Sequence, residues 1–204
     1  MIQLARTARK IRGFRNVVLF LVAMMCVANG LTTLFAFGGI YAAHQFGFDF
    51  EELLLFGIGM NVTAGFGAAL FGWLDDAIGP KRTLLIALLG LFALGAGILL
   101  VGSKAAFWAA ALPLGLFVGP AQAAGRSYMA HVAPADIRTE MFGLYALAGK
   151  ATNFLGPAVL AWMTDAFHSP RAGMASILAF FVVGGALLLF VPDVRDVARV
   201  PAKE

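Results

Sequence analysis

Residues 72–82 read GWLDDAIGPKR, a charged turn bracketed by Gly72 and Gly79 and set between two apolar stretches of membrane-spanning length. The glycines permit a tight reversal with close helix approach, and the charges cannot sit in hydrocarbon. This is the pattern of a short loop joining two membrane crossings. Of the 204 residues, 61% are hydrophobic and 13% charged, and the mean hydropathy is +0.86. A chain of this length cannot hide so much apolar surface in one aqueous core, so lipid must be its solvent.

Working outward from the loop, helices are expected near 16–43, 53–74, 83–103, 105–130, 141–165 and 172–192, each long enough to cross a bilayer. With both termini cytoplasmic, that side carries Arg6, Arg9, Lys10, Arg12, Arg15, Lys81, Arg82, Arg126, Arg138, Arg195, Arg199 and Lys203. The far side carries only Lys104 and Arg171, together with Asp49, Glu51 and Glu52. Twelve basic residues against two is a positive-inside bias. It places the chain in the cell (inner) membrane as a multi-pass protein, with 44–52 and 165–171 outside.

Residues 1–15 form a basic cytoplasmic N-terminal segment, residues 16–192 the six-helix domain and residues 193–204 a cytoplasmic tail. The basic lead precedes an apolar run of about 27 residues, too long for a signal-peptide core, so the first helix is expected to be retained. The lead itself reads either as an amphipathic helix on the membrane surface, through Ile2, Ile11 and Phe14, or as a disordered basic segment. The net charge of +4 resides in loops, not on a folded basic face, and no nucleic-acid partner is expected. The single cysteine, Cys26, excludes an internal disulfide and reads as a packing residue.

An offset of 89 residues superposes Trp73 on Trp162, Asp76 on Asp165, Ala77 on Ala166 and Arg82 on Arg171, within GWLDDAIGPKR and AWMTDAFHSPR. Helices 1–3 thereby align with helices 4–6. Because three is odd, the two loops fall on opposite sides of the membrane, which makes a 3+3 inverted repeat of the kind secondary transporters use.

The loop residues Gly72, Leu74, Asp76, Gly79 and Lys81 resemble the signature of the major facilitator superfamily, glycine-x-leucine-x-aspartate-x-x-glycine-x-basic, departing from it at Ala77 and Pro80. More narrowly, FAFGGIYAA at 35–43, FGIGMNVTAGFGAALFGWLDD at 56–76 and FGLYALAGKATNFLGP at 142–157 are similar to the vacuole effluxer-like branch, whose members include a yeast vacuolar amino-acid exporter. The resemblance covers nearly the whole chain as the C-terminal six helices of a twelve-helix protein. It implies an all-α membrane fold that is half of a major facilitator. It also implies a cytoplasmic gating loop of Gly72, Asp76, Gly79, Lys81 and Arg82 with Arg138, and a second six-helix half as partner. That half is a separate chain, an upstream half or a second copy. The branch often carries Asp-Gly where this chain has Asn29-Gly30, which removes a carboxylate available for ion coupling.

Helices 3 and 6 are almost purely apolar, whereas Asn29, Thr32, Thr33, Asn61, Thr63, Gln122, Arg126, Lys150, Thr152 and Asn153 fall on helices 1, 2, 4 and 5. Helices 3 and 6 are therefore expected to face lipid while the other four line a cavity. Lys150 is the sharpest residue. It lies about nine residues into helix 5, roughly 14 Å from its start and near the bilayer midplane. Insertion of a lysine there costs about 2.5–3.5 kcal/mol. Asn153 shares its face at i+3, and the repeat aligns Lys150 with Asn61. Lys150 reads as a cationic anchor for a solute carboxylate or as a structural lysine bonded to helix carbonyls. Gln122 and Arg126, i and i+4 on helix 4, offer a gate or solute contact, or a snorkelling arginine. Asp76 and Arg138 suggest a cytoplasmic ion pair or simply solvated loop charges. Gly57, Asn61 and Gly65 form a small-residue stripe suited to packing, and Pro113, Pro120 and Pro157 are expected to kink helices 4 and 5. The candidate solute site is thus Lys150, Asn153, Asn61, Asn29, Gln122 and Arg126.

No HExxH, GxSxG or CxxC occurs, and the eleven acidic residues lie at helix ends, in loops or in terminal segments. No enzyme chemistry, metal or cofactor is expected. Two functions remain. One is a half-length secondary transporter for a small polar solute such as an amino acid or carboxylate. The other is a non-transporting membrane interaction or assembly protein derived from a truncated transporter half.

Overall fold

The computed structural model describes residues 2–133 and 138–193, with side chains from residue 15 onward. The expected tail thus falls almost wholly outside the described residues. The structure is all-α among the described residues: α1 (Ile2–Phe46), α2 (Phe50–Ile78), α3 (Pro80–Leu100), α4 (Lys104–Val132), α5 (Arg138–Ala151), α6 (Leu155–Ala166) and α7 (Pro170–Leu189). Five of these, α1 from Arg15, α2, α3, α4 and α7, are long and apolar enough to cross a membrane.

Local chemistry sets the ends. Asp49 caps α2 in a capping box, its carboxylate accepting from Glu52 N at 2.8 Å while Glu52 accepts from Asp49 N at 3.0 Å. Gly79, at φ +91, ends α2 in a conformation that favours glycine, and Pro80 opens α3 at a position where its missing N–H costs nothing. Ser103 caps α4, and α4 runs unbroken through Pro113 and Pro120.

The expected fifth helix is not continuous. It divides into α5 and α6 at Thr152, Asn153 and Phe154. Pro157 explains the break: it has no N–H to return to the carbonyl of Asn153, and its ring crowds that carbonyl. The chain turns instead through tight bonds from Asn153 N to Lys150 O (3.3 Å) and from Leu155 N to Thr152 O (2.9 Å).

The core lies between α1, α3, α4 and α7, where Phe20, Val27, Leu84, Leu91, Leu114, Val118, Ile177 and Leu188 are buried. α2 flanks α4, and α5 with α6 flanks α1 and α7. The two apolar helices thus turn one face outward and the other onto neighbouring helices. α3 and α7 pack on each other and on α4 and α1, and they contribute much of the core, whereas α2 buries only Met60 and Gly67 and α5 buries no side chain. Apolar composition alone does not separate a lipid-facing surface from a helix-facing one, because tails and side chains are equally apolar. α3 and α7 do keep outward stripes through Ile86, Leu89, Val182 and Val183.

The loops gather into two sets by their contacts. At one end Lys104 joins Glu52 at 2.7 Å and the Gly47 carbonyl at 3.2 Å, and Arg171 donates to Val101 O at 3.3 Å. At the other end Lys81 donates to the Leu189 carbonyl at 3.3 Å and to the Val191 carbonyl. Tyr128 there donates to Pro192 O at 2.9 Å. α7 has no basic residue in its own last turn, so Lys81 supplies from α3 the cation that its C-terminal carbonyls lack. Lys81→Met should cost about 1 kcal/mol of stability, read as a lowered melting temperature in detergent. An unchanged melt would show the contact to be incidental.

Candidate functional site

Residues from α1, α4 and α5 enclose a cleft of about 280 Å³ whose polar wall is Thr32, Gln122, Arg126, Tyr145, Lys150 and Asn153. Four expected site residues therefore meet in one place. α4 brings Gln122 and Arg126 one turn apart on an exposed face, and α5 brings Lys150 and its neighbour across the break. The break changes the setting of Lys150, which occupies the last turn of α5 and not the middle of a continuous helix. An ammonium at a helix C-terminus is favoured by the macrodipole, so this position helps hold the charge where it is. Among the described residues two cations and no carboxylate line the cleft, and its remaining wall, including Val27, Leu31 and Phe35, is apolar. Such a cavity attracts an anionic group.

Asn29 does not line the cleft. It is 1% exposed and ties α1 to the broken crossing: Nδ2 donates to Met25 O at 2.9 Å and to Thr152 Oγ1 at 3.0 Å, while Oδ1 accepts from Gly156 N at 3.0 Å. α6 has no side-chain cap of its own, so Asn29 caps it from another helix. Asn61 is also elsewhere. Exposed, and bonded to Gly57 O at 2.8 Å, it lines a second cleft of about 390 Å³ with Phe35, Tyr41, Phe56 and Met60. Phe35 borders both clefts.

Within the loop, Gly72 and Asp76 stand exposed, Gly79 makes the turn and Lys81 is committed to α7. The ion pair suggested for Asp76 and Arg138 does not form: both side chains are exposed, and Arg82 instead lies 3.5 Å from Asp193. Asp193 lies just past the end of α7, next to the start of α3. Sequence reasoning left Tyr145 and Thr32 out of the site. Tyr145 stacks on Phe20 with centroids 6.2 Å apart. Thr152 was recognised only as a polar residue, and its bond to Asn29 depends on a contact 123 positions away in sequence.

The family model described as Vacuole effluxer Atg22 like matches residues 1–199. Among curated proteins, an uncharacterized MFS-type transporter, YxiO of Bacillus subtilis, is 26% identical over 191 residues, covering 94% of this chain and 44% of that protein. Autophagy-related protein 22 of Coccidioides immitis is 24% identical over 218 residues, covering 100% of this chain and 36% of the relative. Autophagy-related protein 22-1 of Aspergillus niger is 22% identical over 203 residues, covering 92% and 33%. The chain thus spans less than half the length of these relatives, which are named as transporters and autophagy-related proteins and not as enzymes.

Proposed function

Because the chain belongs to the Vacuole effluxer Atg22-like family, a family of multi-pass membrane proteins, we propose that it is one six-helix half of a secondary transporter that moves a small anionic or zwitterionic solute, such as an amino acid or carboxylate, across the cell membrane. The observation that carries this reading is the cleft with Arg126 and Lys150 and, among the described residues, no carboxylate. The fifth crossing is made by α5 and α6 together, Arg138 to Ala166, and completes six with the five long apolar helices.

The inverted repeat has independent structural support at the same offset of 89 residues. Gly67 of α2 lies so close to α4 that an added Cβ would strike the Leu116 backbone, and Gly156 of α6 lies so close to α1 that one would strike Thr33 and the Asn29 carbonyl. The ends of α3 and α7 are reciprocal too. Lys81 at the start of α3 reaches the end of α7, and Arg171 at the start of α7 reaches Val101 at the end of α3. Both features follow if helices 1–3 and 4–6 exchange under a two-fold axis in the membrane plane.

A partner half would cover α2, whose Leu54, Ile58, Val62, Phe66 and Leu70 form an exposed stripe, and would close the open side of the cleft. The part of the relatives outside the match is long enough to supply it. Cross-linking in native membranes should capture this half against a six-helix partner or a second copy. A strictly monomeric, well-folded chain would favour a self-contained bundle.

Orientation is tested by cysteine labelling in a Cys26→Ala background. A reagent applied outside should modify cysteine at position 49 and spare position 79. The reverse pattern would invert the assignment. Function is tested by flux of a panel of amino acids and carboxylates into vesicles holding the complete assembly, and movement of none of them would remove the transport reading.

A further inference from the structure

Three features coincide at the break in the fifth crossing. Asn153 lines the cleft, its side-chain oxygen Oδ1 is buried with no hydrogen-bond partner among the described residues, and Pro157 cannot return an N–H to the Asn153 carbonyl. A buried acceptor left unpaired is uncommon and costly in a folded protein, and it calls for an occupant. The neighbouring donors are already committed. Leu155 N bonds Thr152 O, Gly156 N bonds Asn29 and Thr152 Oγ1 bonds Ala148 O, so these backbone and hydroxyl donors leave the acceptor of the Asn153 carboxamide unmet.

We propose that Asn153 is a specificity-determining contact that accepts a hydrogen bond from the solute, from an ammonium or hydroxyl beside its acid group, so that the cleft selects amino and hydroxy acids over simple carboxylates. This rests on the transport reading above and assigns it a direction of binding: acid toward Arg126 and Lys150, donor toward the broken turn. A free metal cation does not suit the site, because two positive side chains share the cleft and would repel it. An ammonium covalently tied to a carboxylate escapes that objection, since its own anion meets those charges. A hydroxyl needs only the acceptor.

The test uses the complete assembly in vesicles and three probes of similar size: L-alanine, L-lactate and propionate. The unaltered protein should move alanine or lactate about tenfold or more faster than propionate, since only they can satisfy the acceptor. Asn153→Thr and Asn153→Val are nearly identical in shape, and only threonine keeps an acceptor. Threonine should retain a preference, whereas valine should bring the ratio close to one. Equal flux of all three by the unaltered protein would overturn the assignment while leaving transport intact, as would a preference that survives in Asn153→Val. Parallel loss of all three in that variant would make Asn153 structural and also overturn it. Where Asn153→Val fails to fold, Asn153→Ala takes its place: it also removes the side-chain acceptor and should bring the ratio close to one, and an undiminished ratio counts against the proposal. Movement of none of the three removes the transport reading and this contact with it.

Discussion

Lys150→Met should reduce solute flux by about ten- to a hundredfold, the range expected when a charge-assisted contact to an anionic solute is lost, while leaving the fold intact. Methionine keeps the length and apolar volume of the side chain. The ammonium has no hydrogen-bond or ion-pair partner in the protein among the described residues, so its removal strands no acceptor. Its charge is held in place by the end of α5 and shares the cleft with Arg126. Melting temperature should therefore stay level or rise slightly as the cost of placing a charge at membrane depth disappears. The measurement pairs flux in vesicles with thermal unfolding in detergent. Full flux of every solute the parent moves would reject the anchor role. Unfolding would instead assign Lys150 to the structure.

The second large effect is expected at Asn29. Asn29→Leu keeps side-chain volume but removes the acceptor for Gly156 N and the donor for Thr152 Oγ1, both across the junction of α1 with the broken crossing. An N–H stranded in the interior costs about 1–3 kcal/mol. The loss should appear as a lower melting temperature together with faster hydrogen exchange at Gly156. Asn29→Asp should be milder, because a carboxylate still accepts from Gly156 N and suits the positive end of α6. If Asn29→Leu melts like the parent and protects Gly156 equally well, the bridge does not hold the break.

The site and the fold were legible to different depths, and particular residues show why. The spans near 16–43, 53–74, 83–103, 105–130 and 172–192 could be read because hydrocarbon demands long apolar runs, whereas ends such as Phe50 and Ile78 of α2 are set by the capping box of Asp49 with Glu52 and by Gly79 followed by Pro80, outside the apolar runs. Gathering Gln122, Arg126, Lys150 and Asn153 required only helical spacing and the cost of polar groups in lipid. Pro157 announced a disturbance, but a proline by itself does not distinguish a kink from a break.

What the tertiary structure decided are the relations between distant segments. Asn29 looked like a solute contact until its carboxamide was found spanning 127 positions to cap α6. Asn61 aligned with Lys150, yet the two line different clefts. The ion pair of the loop fell to Arg82 and Asp193 and not to Asp76 and Arg138, because the contact depends on which helix end lies alongside the start of α3. Composition and periodicity determined that this chain lives in a membrane and where it crosses. Which polar side chain meets which depended on the packing of helices far apart in sequence, since an apolar surface carries no instruction about whether lipid or another helix will cover it.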